Sequence, residues 1–294
     1  MTTTTDKSTA CRVCGSGKGY EPALARLERC TACGFVTYRD FDRSELAEIY
    51  DEEYFAGEEY PDYLGQQDSL RRSMRHHLKQ MWRHNPRRGA LLEVGCAYGL
   101  FLDEARPHFE RVEGIDISAA PVAYARDALG LDARQGEFLT TGYEGKTFDV
   151  VCMWDTIEHL PSPEEYLEKA ARLLGDGGMV FLTTGDIGSL NARWKGAGWR
   201  QIHPPSHLHY FSRHTITVLL ERLGFEVVGI ESTPYYHTLY NVFASIRLRG
   251  GWKGRVASLA LSAVGERLSR RFGFWINLGD IMFVAGRLKA PPRP

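Results

Sequence analysis

The chain has 294 residues, 43 % of them hydrophobic, a length and composition that suit one large α/β domain with smaller appended units. Its formal net charge of -1 disfavours a nucleic-acid partner held mainly by electrostatics, and we expect none. No uncharged apolar run approaches the roughly 18 residues of a transmembrane helix. Because residues 1–10 are threonine-rich and lack an apolar core, we expect them to be disordered, to carry no secretory signal and to belong to a cytoplasmic protein.

Four of the six cysteines form two matched pairs, Cys11-x-x-Cys14 and Cys30-x-x-Cys33, with fifteen residues between them. This is the spacing of a structural Zn²⁺ site with four thiolate ligands. Disulfides and a redox Cys-x-x-Cys motif are the alternatives, but a reducing compartment disfavours the first and the second needs no matched copy. We expect a zinc-binding ribbon over residues 11–37, with no open metal position for chemistry.

Residues 38–88 are charged and aromatic, and predict a helical cap placed before the first strand of the main domain. We expect helices over 42–50 and 66–83, separated by an irregular stretch over 54–64.

The segment 91–102 predicts a buried strand, a glycine turn and a helix, and the segment 112–117 predicts a second buried strand that ends in Asp116. In a right-handed β-α-β unit this acid lies beside the glycine turn, where it can accept hydrogen bonds from a ribose. The turn reads Glu93-x-Gly95-x-x-x-Gly99, with Ala97 where a dinucleotide fold would carry its middle glycine. Since Glu93 would repel phosphates, the turn suits a ligand with a cationic amine or sulfonium.

This pattern resembles motif I of the class I S-adenosylmethionine-dependent methyltransferases. Further predicted strands at 131–135, 148–155, 177–184, 225–232 and 280–288 alternate with helices at 121–129, 163–174 and 212–223, as in a doubly wound Rossmann-like sheet. The resemblance implies that the last strand is antiparallel and that residues 89–294 form the methyltransferase domain. It also implies that the cofactor is bound by Glu93, Gly95, Cys96, Ala97, Tyr98, Gly99, Asp116, Ile117, Glu137, Phe138, Trp154 and Asp155. Tyr54 and Phe55 are further candidates for cofactor contact.

Glu158-His159-Leu160, after the fourth predicted strand, is similar to the same segment of methyltransferases of the ubiquinone-pathway and sugar-modifying type. The resemblance implies either a base or a divalent ion held by Asp155, Glu158 and His159. The alternative is that the acids cap the following helix and that His159 only supports the site.

A long aromatic loop over residues 185–211 carries His203, His207 and His209. Loops of this length without a regular pattern are usually functional lids, and the aromatic content disfavours disorder. His159, His207 and His209 are therefore the candidate catalytic bases. Packing that closes the lid is the alternative for the loop histidines, and a zinc site formed by the three of them is disfavoured because no acid or cysteine lies nearby in sequence.

The last two predicted strands are separated by an insertion over residues 233–278, whose segment 247–271 holds seven basic residues and one acid. Residues 256–268 have apolar positions at helical spacing. A basic amphipathic helix can rest on an anionic membrane or hold a phosphorylated substrate, and a solvated face packed on its own domain is the alternative.

A zinc ribbon before a methyltransferase core resembles sugar and natural-product methyltransferases. The resemblance implies methyl transfer from S-adenosylmethionine to a sugar, a polysaccharide precursor or another natural product, with O-methylation favoured over C-methylation. The alternative is a non-catalytic interaction protein that uses the zinc ribbon and keeps a vestigial cofactor pocket. The acceptor and the oligomeric state are left open by the sequence.

Overall fold

The structure is a computed structural model that describes residues 10–41, 63–248 and 250–289. The strands of this part of the chain are, in order, β1 Tyr20–Pro22, β2 Glu28–Cys30, β3 Val36–Thr37, β4 Ala90–Val94, β5 Arg111–Asp116, β6 Asp132–Gln135, β7 Phe148–Trp154, β8 Leu174–Gly185, β9 His209–Tyr210, β10 Phe225–Ser232, β11 Tyr235–Thr238, β12 Gly273–Ile276 and β13 Ile281–Leu288.

The α-helices are α1 Gln67–Trp82, α2 Leu100–Ala105, α3 Ala119–Asp127, α4 Pro163–Leu173, α5 Leu190–Lys195, α6 Arg213–Arg222, α7 Leu239–Leu248, α8 Gly251–Val264 and α9 Glu266–Arg271. Short 3-10 helices cover Leu64–Gln66, Arg106–His108 and Gly196–Gly198. The predicted helices at 66–83, 121–129, 163–174 and 212–223 correspond to α1, α3, α4 and α6. The predicted helix at 42–50 lies outside the described residues, as do Tyr54 and Phe55.

A seven-stranded sheet in the order β10-β13-β8-β7-β4-β5-β6 forms the centre of the molecule. Strands β4 to β8 are parallel, whereas β13 is antiparallel to both of its neighbours, β8 and β10. The predicted doubly wound sheet with an antiparallel last strand is therefore confirmed. The strand order reverses between β4 and β7, and their carboxyl ends open a crevice where ligands bind in such folds.

The core lies on both faces of this sheet, because successive side chains of a strand point to opposite sides. One face packs Leu92, Val151 and Leu182, and the other packs Leu91, Val150 and Phe181. Because helices cover both faces, the central strands carry near-continuous apolar runs.

Glu113 is a buried acid in β5 whose charge is compensated within the fold. Its carboxylate accepts hydrogen bonds from Arg111, from Arg134 at 3.0 Å and from Lys146 at 2.8 Å. Three cations around one carboxylate offset the cost of burying it, so Glu113 is a structural acid of this sheet.

The N-terminal cysteine segment forms a second sheet together with part of the long loop, in the order β1-β2-β3-β9. Strand β9 pairs with β3 in the register Val36 to Tyr210 and Thr37 to His209. The loop over 185–211 was expected to lack regular structure. That expectation was wrong, because the loop contains α5, a 3-10 turn and β9. A strand of two residues is too short to show alternation in the sequence, and its partner lies 172 positions away.

The insertion over 233–278 contains the antiparallel pair β11 and β12, with α7, α8 and α9 between them. The single helix expected over 256–268 is instead two helices. Gly265 adopts a φ of 79°, a left-handed conformation that ends α8 and starts α9. The apolar spacing continues across this break, which is why the sequence pattern alone predicted one helix.

His77 lies on α1 and is fully buried, with its ring stacked on Trp154 at 4.9 Å between ring centroids. Burial lowers its pKa to about 3, so the folded protein keeps this ring neutral at pH values where the unfolded chain protonates it. Below the unfolded pKa of about 6.5, unfolding therefore takes up a proton, and acid destabilises the fold.

We expect the free energy of unfolding to fall more steeply with acid in the wild type than in His77→Phe, which keeps the stacked ring and removes the titration. The difference should grow by about 1.4 kcal/mol per pH unit between pH 6 and 4. Urea unfolding of both proteins across this range measures it, and parallel curves would contradict the prediction.

Candidate active site

A cavity of about 990 Å³ opens at the carboxyl ends of the parallel strands. Its floor is formed by the turn after β4 and the ends of β5, β6 and β7, and its walls by α1, the 185–211 loop, β11 and α7. Ligand pockets commonly measure about 300–1,000 Å³, so this cavity can hold a nucleoside-sized molecule together with a second reactant.

The glycine turn after β4 requires its glycines. Gly95 has a φ of 78°, and a Cβ atom placed on it would lie 2.6 Å from Thr156 Oγ1, in the segment that follows β7. Gly99 has a φ of 72°, and its Cβ would lie 2.6 Å from Leu131 Cδ1 and 2.9 Å from Ala125 Cβ. The turn thus passes close to the β7 segment at the point where the strand order reverses.

Asp116 lies at the end of β5 beside this turn, as the sequence predicted. Its Oδ2 accepts a hydrogen bond from the Ala97 amide at 2.8 Å, and its Oδ1 accepts one from the Ser118 amide at 2.9 Å. Burial raises its pKa, while the backbone N–H donors act in the opposite direction. Each carboxylate oxygen has a second lone pair, so Asp116 can still accept hydrogen bonds from a ligand at the cavity wall.

Glu93 occupies the strand position before the turn and is almost completely buried. Its Oε2 has no hydrogen-bond partner among the described residues. Burial, and secondly the charge of Asp116, raise the pKa of Glu93 well above its ordinary value. A buried carboxyl without a partner is costly, and a nearby cation would offset that cost. The site therefore fits a cationic ligand better than a phosphate.

The residues expected to bind the cofactor separate into two groups. Those that line the cavity are Gly95, Ala97, Asp116, Ile117, Glu137, Phe138, Trp154 and Asp155. Those that do not are Glu93, Cys96, Tyr98 and Gly99, which support the turn from behind or from the side.

The supporting residues have identifiable packing roles. Cys96 is buried, and its Sγ would lie 2.8 Å from a Cβ placed on Gly114 of the neighbouring strand. The Tyr98 ring stacks at 5.0 Å on that of Tyr63, which does line the cavity. The Cys96 and Tyr98 side chains therefore do not line the cavity.

Glu137 follows β6 and lines the cavity, but one of its oxygens is already engaged. Its Oε1 accepts hydrogen bonds from the Tyr166 hydroxyl and from the Leu139 amide, the latter at 3.0 Å. Phe138 beside it is buried and also lines the cavity. A hydrogen bond from Glu137 to a base amino group stays a prediction.

Asp155, directly after β7, accepts a hydrogen bond through Oδ2 from the hydroxyl of Tyr235. Burial raises the pKa of this carboxyl, and the hydrogen bond from Tyr235 partly opposes the shift. Tyr235 belongs to the insertion and was not singled out by sequence reasoning. Its position three residues after a predicted strand end was the available signal, but a tyrosine there is indistinguishable from a packing residue.

Glu158, His159 and His207 form a buried cluster at the same cavity, with one potential ligand atom of each lying within 4.8 Å of the others. The two imidazole rings are perpendicular, with centroids 4.4 Å apart. His159 Nδ1 lies 2.8 Å from the carbonyl oxygen of Ser206, and His207 Nδ1 lies 3.0 Å from that of Gln201. Since a carbonyl only accepts, both Nδ1 atoms carry the proton and both Nε2 atoms carry the lone pair.

Burial sets the charge state of this cluster. It lowers the pKa of His159 to about 4, and together with the neighbouring imidazoles it holds the pKa of His207 well below its ordinary value. Burial, and secondly the charge of Asp155, raise the pKa of Glu158 to about 8. At neutral pH the two histidines are therefore neutral, and each keeps a lone pair at Nε2.

The divalent-ion set expected from the sequence, Asp155 with Glu158 and His159, is not the set that the fold assembles. Asp155 hydrogen-bonds to Tyr235, and His207 from the loop takes the third place beside Glu158 and His159. The sequence pattern placed Asp155 in the set because it is three positions from Glu158, whereas the fold brings His207 to the cluster from 49 positions away.

His209 does not share the cavity with His159 and His207. It lies in β9, is almost completely buried, and its Nδ1 is 3.0 Å from the hydroxyl oxygen of Thr37 in β3. This position does not fit the expected role of His209 as a base, because its ring contacts Phe35 and Thr37 of the cysteine-bearing segment and does not line the cavity. His203 also lies outside the cavity lining, with its ring 3.9 Å from that of His207.

The four paired cysteines converge at the N-terminal sheet, with their Sγ atoms all within 4.8 Å of one another. Cys11 and Cys33 are 3.7 Å apart at sulfur, and Cys14 and Cys30 are 3.9 Å apart. A disulfide requires about 2.05 Å, whereas the edge of a tetrahedron with Zn–S bonds of about 2.3 Å is about 3.8 Å. The sulfur spacing therefore fits a tetrahedral thiolate site.

The cysteine-bearing sheet is anchored on the main domain. Arg12 pairs with Glu164 of α4 at 2.6 Å, and Arg222 of α6 donates a hydrogen bond to the Val13 carbonyl at 2.8 Å. On the other side, the amides of Leu208 and His209 donate to the Glu158 carbonyl at 2.9 Å and 3.0 Å. Backbone hydrogen bonds thus connect the cysteine-bearing sheet to the segment that carries the buried cluster.

Comparison with known proteins agrees with this geometry. The sheet order, the glycine turn after β4 and the acid at the end of β5 define a nucleoside-binding fold of the class I methyltransferase type. A family described as a methyltransferase domain matches residues 66–230, more than half of the chain. The chain belongs to this methyltransferase family.

Sequence relatives match the chain over part of its length. It is 35 % identical over 101 residues to a ubiquinone biosynthesis O-methyltransferase of Pseudomonas paraeruginosa, an alignment that covers 32 % of this chain and 43 % of the relative. The chain thus spans less than half the length of such relatives.

Two solved structures share the fold at low sequence identity. The magnesium protoporphyrin IX methyltransferase of Synechocystis PCC 6803, solved with bound S-adenosylhomocysteine, matches with a TM-score of 0.53 and 12 % identity over 84 % of this chain and 100 % of that one. The N-methyltransferase NodS of Bradyrhizobium japonicum matches with a TM-score of 0.50 and 15 % identity over 81 % of this chain and 96 % of that one.

Proposed function

We propose that this protein transfers a methyl group from S-adenosylmethionine to a hydroxyl of a small-molecule acceptor, such as a sugar, a polysaccharide precursor or another natural product. The observation that carries the proposal is a cavity whose lining has two chemically different parts. One part is the glycine turn with Asp116, and Glu93 is buried behind this turn; the other is the buried cluster of Glu158, His159 and His207.

The part of the lining around the glycine turn suits the methyl donor. Asp116 offers acceptor capacity to ribose hydroxyls, and the buried carboxyl of Glu93 favours a positive charge nearby. Gly95 and Ala97 bring backbone close to the ligand without large side chains in the way. S-adenosylmethionine would supply an electrophilic methyl carbon bound to its sulfonium sulfur.

The part of the lining formed by the buried cluster suits an acceptor that must lose a proton. His159 and His207 are neutral, their tautomers are set by the Ser206 and Gln201 carbonyls, and their Nε2 atoms can take a proton from a hydroxyl. The buried position excludes water, which strengthens the alignment and polarisation of the acceptor. A hydroxyl needs such a base more than an amine does, which favours O-methylation. The O-methyltransferase name of the ubiquinone-pathway relatives supports the same preference.

A divalent ion bound by Glu158, His159 and His207 is the competing interpretation of the cluster. Two imidazoles and one carboxylate are a common ligand set for first-row transition metals. The two interpretations separate experimentally. If the histidines act as bases, dialysis against a chelator that spares the cysteine site leaves turnover intact. If they act as ligands, turnover is lost and returns with added metal.

Titration calorimetry with S-adenosylmethionine tests the donor half of the proposal, and incubation of radiolabelled donor with cell metabolites tests the acceptor half. We expect saturable binding, and label retained in an alkali-stable, polar small-molecule fraction. Absence of donor binding by the folded protein would instead support a non-catalytic interaction protein with a vestigial pocket.

We also propose that the four cysteines bind one structural Zn²⁺. Metal analysis of the purified protein should give about one zinc per chain, and Cys11→Ser with Cys30→Ser should give none. Because structural zinc contributes directly to folding free energy, the double variant should also melt at a markedly lower temperature. Cys96→Ser with Cys152→Ser is the matched control, since both of these cysteines lie in the main domain, and it should keep full zinc content. A folded wild type without metal would contradict the assignment.

A further inference from the structure

Helix α8 carries an apolar stripe that faces solvent. Trp252, Val256 and Leu259 are 72 %, 55 % and 71 % exposed, and they recur at the spacing of one helical face. The opposite face is buried through Gly254 and Ala257. A Cβ on Gly254 would lie 3.0 Å from the Arg247 carbonyl oxygen, so α8 packs closely on α7 and leaves its stripe outward.

Basic residues flank this stripe. Lys253 and Arg255 follow Trp252 on the two sides of the helix, and both are exposed. The segment 247–271 contains seven basic residues and one acid, Glu266, which is paired with Arg270 at 2.8 Å. Neither Lys253 nor Arg255 forms an ion pair with another residue in the described ranges. An apolar stripe between uncompensated cations matches the interface of an anionic bilayer.

The same insertion reaches the cavity. Asn241 and Ser245 of α7, the helix beneath α8, line the cavity wall. Leu278, which follows β12, also lines the cavity and is 52 % exposed. Phe272, Phe274 and Trp275 lie just before it and are exposed as well. The insertion thus carries exposed apolar residues on α8 and also in the segment that leads to the cavity lining.

We propose that α8 docks this protein on the surface of a membrane rich in anionic lipid, with Trp252, Val256 and Leu259 in the interface and Lys253 and Arg255 against the headgroups. The helix has 14 residues, too few to span a bilayer, so it lies in the plane of the interface. In the described part of the chain no helix is long and apolar enough to cross a membrane.

A second copy of the chain is the competing occupant of the stripe, and charge disfavours it. A two-fold contact would place the same surface on both partners, bringing segment 247–271 against its own copy with a net charge of +6 on each. An anionic bilayer carries negative charge and would attract this positively charged segment. The proposal concerns binding alone and holds whichever acceptor is methylated.

Flotation of the full chain with vesicles of phosphatidylglycerol and phosphatidylcholine tests the proposal. We expect binding that weakens with added salt and is absent with phosphatidylcholine alone. Trp252→Ser with Leu259→Ser should weaken binding about tenfold or more through lost apolar burial. Lys253→Glu with Arg255→Glu should weaken it by at least about fivefold per residue.

Matched controls use similar residues elsewhere on the surface. Leu190 and Trp194 of α5 are 84 % and 79 % exposed, and replacing both with serine should leave binding within about twofold of wild type. Arg87→Glu with Arg172→Glu repeats the charge change away from the insertion. Wild type that fails to float at low salt, or α5 variants that lose binding equally, would overturn the proposal. A wild-type dimer that becomes a monomer in Trp252→Ser with Leu259→Ser, by sedimentation velocity, would assign the stripe to a second copy.

Discussion

Asp116→Ala is expected to weaken the binding of S-adenosylmethionine by at least about a hundredfold, because it removes a buried carboxylate that can accept two ribose hydrogen bonds. The loss of affinity should be larger than the ribose contacts alone would give, because the Ala97 and Ser118 amides also lose the acceptor that holds the glycine turn. Titration calorimetry on wild type and variant measures the change.

Asp116→Asn is the informative companion variant. It keeps the shape and one oxygen acceptor but loses the charge, so its affinity should fall between those of wild type and Asp116→Ala. Asp127→Ala, at an exposed acid on α3, should bind as wild type does. If Asp116→Ala folds normally and binds the donor within threefold of wild type, the ribose contact that we assign to Asp116 is wrong.

His207→Ala and His159→Ala are expected to lower turnover by about two to four orders of magnitude while leaving donor affinity nearly unchanged, because we propose that these residues take a proton from the acceptor. Donor affinity should be spared because neither histidine belongs to the glycine turn or to the end of β5, the parts of the cavity lining that we assign to the donor. The measurement is kcat with the acceptor fraction identified by radiolabel transfer, alongside donor affinity by calorimetry.

The pH profile tests the charge state that burial gives to His159. Because burial lowers the pKa of His159 to about 4, the base is already deprotonated well below pH 6.5, and kcat should be flat between about pH 6 and 7. His214→Ala, at an exposed position on α6, serves as the control and should keep full turnover. Equal loss of turnover and donor affinity in His207→Ala would assign that residue to the architecture of the site.

Features encoded within a short stretch of sequence were predictable. The cysteine pairs depend on spacing within one short segment, and the structure brings the four sulfurs together as expected. The glycine turn and Asp116 depend on spacing within one β-α-β unit, and the structure places them side by side. The antiparallel last strand followed from the family resemblance. Glu158 and His159 were recognised because they are adjacent and follow a strong apolar strand.

Features that depend on contacts between distant segments were not predictable. His207 was a candidate, but its place beside Glu158 requires the loop to fold back onto the end of β7. The exclusion of His209 requires β9 to pair with β3, which no two-residue pattern reveals. The contact of Tyr235 with Asp155 spans 80 positions and joins an insertion to the central sheet.

The hydrogen bonds between β3 and β9 connect the four-cysteine site to the loop that carries His207. The strand that begins two residues after His207 is an edge partner of the cysteine-bearing hairpin, and Thr37 donates to the Leu208 carbonyl at 3.0 Å. If the four cysteines hold the zinc that we propose, its withdrawal should loosen the loop that carries His207, whereas the glycine turn has no strand in this sheet. In that case a shortage of zinc would lower turnover before it lowers donor affinity.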